Sequence, residues 1–195
     1  MAKVFVFLAD GFEDVEALIP VDVLRRGGVE VITVSINDTV AVTSAHGVMI
    51  MADALFEDVE GMLKDADLLL LPGGMPGATN LNGCEPLKKA LVNQFEQGKK
   101  VAAICAAPLV LGGLGLLRDK NATCYPGFEH TLEGAHYTAE LFTVDGNVTT
   151  GEGPAAAFPF AYSLLEQLTD AQTAHDVAEG MRFLHLIENR EFTIK

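Results

Sequence analysis

Apolar residues in this chain follow two rhythms, and their alternation predicts a layered α/β protein. Residues 4–9 form an unbroken β-branched and aromatic run. Residues 13–26 follow with Val15, Leu18, Ile19 and Val23 at helical spacing, until Gly27-Gly28 stops them. Residues 29–35 alternate as a second strand, 46–52 read as extended, and 56–64 as a short amphipathic helix leading into a strand at 67–71. The run Leu68-Leu69-Leu70-Leu71 ends abruptly at Pro72-Gly73-Gly74, as expected of a central parallel strand buried on both faces. A helix over 86–98 and a second central strand over 101–104 follow. Two strand ends should therefore lie near one another, and open α/β sheets bind ligands beyond the carboxyl ends of their strands. Residues 140–144 and 148–150 flank Asp145-Gly146-Asn147, a hairpin signal expected to decorate the sheet edge. Helices are predicted over 155–168 and 171–187, with a polar tail at 188–195. One domain is expected: an α/β unit over 1–170, with 171–195 as its helical extension.

Composition narrows the function classes. A chain of 195 residues that is 49% hydrophobic buries one substantial core. Thirteen Lys and Arg against 27 Asp and Glu give a formal charge of −14, which repels a phosphate backbone and argues against nucleic acid as a partner. The first apolar run is too short to span a membrane and lacks a signal-peptide cleavage region, so no membrane association and a cytoplasmic location are expected. Cys84, Cys105 and Cys124 are odd in number and widely spaced, without the CxxC pairs of a zinc site, and are expected to be reduced thiols.

Three constellations bear chemistry. Cys105 stands in Ile104-Cys105-Ala106-Ala107-Pro108, where a buried strand gives way to a new apolar stretch. A lone cysteine is usually a small buried hydrophobe. At a strand-to-helix turn its thiol instead projects, and a helix N-terminus behind it is expected to favour the thiolate. Gly73-Gly74-Met75-Pro76-Gly77 closes the neighbouring strand; it is either a plain turn or one half of an oxyanion hole, the Gly74 amide pairing with that of Ala106. No Gly-Lys-Ser/Thr follows, so it is not a phosphate loop. Glu16 lies among Val15, Ala17, Leu18 and Ile19, a setting that turns a normally solvated glutamate inward and raises its pKa. A protonated carboxyl there donates a hydrogen bond to a thiolate without adding a second negative charge.

At these residues the sequence resembles a known family. Ala9-Asp10-Gly11-Phe12-Glu13-Asp14-Val15-Glu16, then Ile19-Pro20-Val21-Asp22-Val23-Leu24-Arg25-Arg26, Leu71-Pro72-Gly73-Gly74 and Ala103-Ile104-Cys105-Ala106-Ala107-Pro108 are similar to the ThiJ/PfpI superfamily. Gly134-Ala135-His136-Tyr137-Thr138 and Gly153-Pro154 fit its branch of the Parkinson's-disease-associated deglycase. The resemblance covers residues 3–168. It implies a flavodoxin-like three-layer α/β sandwich with a mainly parallel sheet, of the class I glutamine amidotransferase type, assembled as a homodimer and needing neither cofactor nor metal. It also implies that Cys105 is the nucleophile at the elbow, Glu16 the carboxyl bonded to it, and Gly74 and Ala106 the amides that face substrate oxygen.

Departures from the family pattern shape the expectation. The protease-like branch has His directly after the nucleophile; here Ala106 stands there, which argues against peptidase activity. The histidine that precedes a proline near the cysteine is Tyr125 in this chain. His46, near a segment that in relatives contributes to the dimer and pocket rim, and His130 are the candidate replacements, although each is more ordinary as a surface histidine. Cys124 is either inert packing or a resolving thiol for an oxidised Cys105. Two functions remain open: a cysteine-dependent glyoxalase or deglycase acting on small reactive carbonyls such as methylglyoxal or their adducts, and a redox-sensing or chaperone protein that uses an oxidisable Cys105 without turnover.

Overall fold

The computed structural model describes residues 1–189. The chain runs through β1 (Lys3–Leu8), α1 (Asp14–Arg26), β2 (Glu30–Ser35), β3 (Ala41–Thr43), β4 (Met49–Met51), β5 (Ala54–Leu55) and α2 (Phe56–Val59), which a 3-10 turn at Glu60–Asp65 extends. Next come β6 (Leu68–Leu71), α3 (Gly77–Gly83), α4 (Glu85–Glu96), β7 (Lys100–Ile104), α5 (Pro108–Gly113), β8 (Asn121–Ala122) and β9 (His136–Tyr137). β10 (Phe142–Asp145), β11 (Val148–Gly151), α6 (Ala157–Leu168), α7 (Ala171–Gly180) and α8 (Phe183–Glu188) complete the described chain.

Seven strands form the central sheet in the order β10-β11-β7-β6-β1-β2-β5. All neighbours pair in parallel except β10 with β11. Every residue from Val4 to Leu8 and from Leu68 to Leu71 is fully buried, because α1 and α6 pack together over one face while α3, α4 and α5 group over the other. This is the flavodoxin-like three-layer sandwich that the alternating rhythms and the resemblance indicate. No helix among the described residues is long and apolar enough to cross a membrane.

The hairpin over 140–150 stands at one sheet edge as expected, with β10 outermost, and it joins the sheet through β11, which pairs in parallel with β7 from Val148–Val101 to Gly151–Ile104. Several local expectations are corrected. The extended stretch at 46–52 is the return strand of a separate antiparallel hairpin, β3 with β4. The helix predicted over 56–64 divides into one α turn and a 3-10 segment. The single helix predicted over 171–187 is two, α7 and α8, separated at Arg182, whose φ of 62° is left-handed. α7 rests on α6, so the extension adds to the helical layer over β11. The remainder of the predicted polar tail, from 190 onward, lies outside the described residues.

Candidate active site

The site is assembled where β6 and β7 end side by side, Leu71 opposite Ala103. β7 leads into a turn in which the Ala107 amide donates to the Ile104 carbonyl (3.0 Å), and Cys105 adopts φ 65°. That left-handed conformation costs about 1–2 kcal/mol for a residue with a Cβ. Two flanking hydrogen bonds hold it: the Cys105 amide donates to the Gly151 carbonyl (2.9 Å), and its own carbonyl accepts from the Tyr125 amide (2.9 Å). Cys105 is 8% exposed, so a narrow opening reaches it.

Gly73 lies against this turn. A Cβ there would stand 2.6 Å from Glu16 Oε2, 2.7 Å from Cys105 Cβ and 2.8 Å from the Ile104 carbonyl oxygen, so only glycine lets strand, helix and Cys105 meet. The amides of Gly74 and Ala106 both donate towards the Cys105 sulfur. In the tetrahedral chemistry of carbonyls, the same donors suit an oxyanion.

Glu16 enters from the first turn of α1. Glu13 caps that turn, its Oε2 accepting from the Glu16 amide (2.9 Å). The Glu16 side chain is fully buried, and Oε2 accepts from the Gly73 amide at 3.0 Å. Oε1 is buried with no donor for it among the described residues, and the group paired with this carboxyl is the Cys105 thiol. An oxygen with no donor facing it is best satisfied by carrying the proton itself. Burial, opposed by the Cys105 and Gly73 hydrogen bonds and reinforced by Glu13, pushes the carboxyl up to about 7. Burial and then the Glu16 charge push the Cys105 thiol up to about 12. Both shifts have one origin, which is that the enclosure disfavours two negative charges together. A proton on Glu16 removes the charge that helps to hold the Cys105 thiol up.

This corrects the expectation that a helix N-terminus lowers the Cys105 pKa. α5 is six residues long, and the burial that encloses the thiol raises its proton affinity more than the Gly74 and Ala106 amides reduce it.

The accessory candidates fall in different places. Tyr125 joins the site through its backbone, and its half-exposed ring packs on Gly153, where a Cβ would meet Tyr125 Cδ2 at 3.0 Å. Beside it lies a groove of about 250 Å³ lined by Tyr125, Pro126, Glu152, Gly153 and Pro154. His46 is on the exposed turn between β3 and β4. Its Nδ1 lies 2.8 Å from Asp14 Oδ2, and Asp14 Oδ1 accepts from the Ser44 hydroxyl at 2.7 Å. His46 is thus tied to the start of α1, and its pKa is raised chiefly by that Asp14 hydrogen bond. His130 sits in an exposed 3-10 turn at Glu129–Thr131, with no hydrogen bond to the Cys105 turn among the described residues. Cys124 is wholly enclosed, and burial with help from Glu129 holds its thiol up to about 11.

Among the described residues, one group has the spacing to hold a cation: ligand atoms of Glu13, Asp14 and His46 lie within 4.8 Å of one another. Each is already engaged, Glu13 in capping α1 and Asp14 with Ser44 and His46. Glu13 and Glu152 were not among the sequence candidates. The cap was legible as an acidic residue three before Glu16. Glu152 was signalled only by its place before Gly153-Pro154.

The DJ-1/PfpI family model matches residues 2–167. Protein DJ-1 homolog B of Arabidopsis thaliana is 40% identical over 178 residues, 90% of this chain; the chain spans only 40% of that protein's length. The Caenorhabditis elegans protein named glutathione-independent glyoxalase DJR-1.2 is 32% identical over 170 residues, 87% of this chain and 89% of its own. Among solved structures, oxidized DJ-1 of Toxoplasma gondii superposes with a TM-score of 0.88 at 36% identity, covering 93% of this chain and 98% of its own. The family model extends from β1 to α6 and takes in the strand ends that carry Cys105 and Gly74 and the helix turn that carries Glu16, so this chain belongs to the DJ-1/PfpI family.

Proposed function

We propose that the chain is a cofactor-independent, cysteine-dependent glyoxalase or deglycase for methylglyoxal-type carbonyls and their adducts. The observation that carries this reading is the buried Glu16 carboxyl paired with Cys105 while the Gly74 and Ala106 amides converge on the sulfur. The glyoxalase name of the Caenorhabditis elegans relative supports it.

In this reading the Cys105 thiol gives its proton to solvent and its sulfur attacks the aldehyde carbon of methylglyoxal. A C–S bond forms, the carbonyl π electrons move to oxygen between the two amides, and Glu16 delivers the proton that oxygen takes up. Glu16, now a carboxylate, removes the proton from that carbon and returns it to the neighbouring one, converting the hemithioacetal to a thioester through an enediol. Water then releases lactate and restores the thiol, and Glu16 regains its proton from solvent, with no net oxidation. Tyr125 supplies no imidazole, so proton movement falls to Glu16 and solvent. The test is lactate formation from methylglyoxal by the wild-type protein and by Cys105→Ala. Lactate from the wild type alone supports the reading, and equal amounts from both defeat it.

A homodimer belongs to the same proposal. Val15 and Leu18 on α1 and Val48, Met49 and Met51 on the β3–β4 hairpin are each exposed apolar side chains. His46 and Asp14 tie this helix and hairpin into one unit. Three free cysteines accord with a cytoplasmic setting, and the stacking of α7 on α6 accords with 171–189 as part of the one domain.

A further inference from the structure

The groove beside Tyr125 is fixed to the nucleophile on both sides. Its first wall starts at Tyr125, whose amide donates to the Cys105 carbonyl; its second starts at Glu152, directly after Gly151, whose carbonyl accepts from the Cys105 amide. Both walls therefore begin within one residue of a hydrogen bond to the Cys105 backbone, which places the groove beside the thiol's turn. The lining is aromatic, proline and small aliphatic except for one formal charge, Glu152, and no cationic side chain lines it. Glu152 is half-buried, and no cation among the described residues forms an ion pair with it. Tyr125 offers an exposed ring next to it. Tyr137 stands nearby, its hydroxyl proton held on by burial and by the charges of Cys124, Glu129 and Glu152. A carboxylate that shares a groove with an aromatic ring is a setting for an ammonium or guanidinium group, through Coulomb attraction and the negative face of the ring.

We propose that Glu152 and the Tyr125 ring form a cation-recognition subsite that selects adducts whose non-reacting end is a primary ammonium or guanidinium over those ending in a carboxylate. The proposal rests on the reading of Cys105 as the carbonyl-attacking group, and it names the substrate class at that same site. It assigns Glu152 as the specificity determinant: an anionic adduct would bring its carboxylate against Glu152 with no cation to relieve it.

The test uses the charge of the probe as its only variable. Methanethiosulfonate reagents transfer a substituted ethylthio group to a cysteine, forming a mixed disulfide and releasing methanesulfinate. The 2-trimethylammonium-ethyl and 2-sulfonatoethyl reagents carry opposite charges. Modification of Cys105 is followed by peptide mass spectrometry, and the ratio of the two rates is normalised to that of a small cysteine peptide. The wild type is expected to favour the cation by roughly fivefold or more. Glu152→Gln should bring the ratio within about twofold of unity, and Glu152→Lys should reverse it. A wild-type ratio near one overturns the proposal. So does a preference that survives unchanged in Glu152→Gln, which would assign it to the overall charge of −14. This measurement needs no turnover. A charge preference without lactate formation would remove the enzymatic reading alone, whereas lactate formation without a charge preference would remove the subsite alone.

Discussion

At the scale of single residues, the chemistry proposed for Cys105 turns on a proton held by Glu16. Glu16 is an unusual helix residue, fully buried with one oxygen taking the Gly73 amide and the other lacking a donor. If the protonated carboxyl stabilises the thiolate, Glu16→Leu should slow alkylation of Cys105 by iodoacetamide at pH 6.5 by about tenfold, the worth of a hydrogen bond to a charged group. An unchanged rate would disconnect the two residues. Stability responds to the same proton. The carboxyl binds its proton more tightly folded, at about 7 against 4.5, so its contribution is complete below pH 4.5 and is lost as pH rises through about 7. Relative to Glu16→Gln, the wild type should therefore lose about 3 kcal/mol of unfolding free energy between pH 4.5 and pH 8. Urea titrations at the two pH values check this, and a constant difference between the proteins counts against it. The inward turn of Glu16 was readable from its apolar neighbours. The upward shift of the thiol was not, because it depends on how completely three separate segments enclose the pair.

At the scale of elements, the legible parts were those whose sequence carries a strong period. β1, β6 and β7 are continuous apolar runs, and α1, α4 and α6 repeat every three to four residues. The parts that escaped have weak signals of their own. α3 is Gly-Ala-Thr-Asn-Leu-Asn-Gly, too polar and glycine-rich to show a face, and β3 has only three residues. β11, Val-Thr-Thr-Gly, is buried throughout although three of its four side chains are not strongly apolar, so its parallel pairing with β7 could not be seen. The division of α7 from α8 was hidden because the left-handed residue is Arg182 rather than glycine. Arg182→Gly should remove that backbone cost and raise stability by up to about 1 kcal/mol. A lower melting temperature in the variant would show that the Arg182 side chain contributes more than its conformation costs.

At the scale of the whole molecule, the exposed apolar group on α1 and the β3–β4 hairpin gives the dimer proposal a direct test. Met49 and Met51 are each 67% exposed, so a charge at these positions has little to disturb in the isolated fold. The double variant Met49→Glu/Met51→Glu should keep its melting temperature to within a few degrees at low protein concentration and sediment as a monomer where the wild type sediments as a dimer. A wild-type monomer across micromolar concentrations would remove the proposal. α1 has a further consequence. Its inner side holds the Glu16 carboxyl that faces the thiol, and Val15 and Leu18 on the same helix are exposed. One helix thus borders two equilibria, and any coupling between them is reciprocal. If association shifts the helix against Gly73, capping the sulfur must change the association constant by the same factor. Subunit exchange measured before and after alkylation would then report on a thiol that the neighbour never touches.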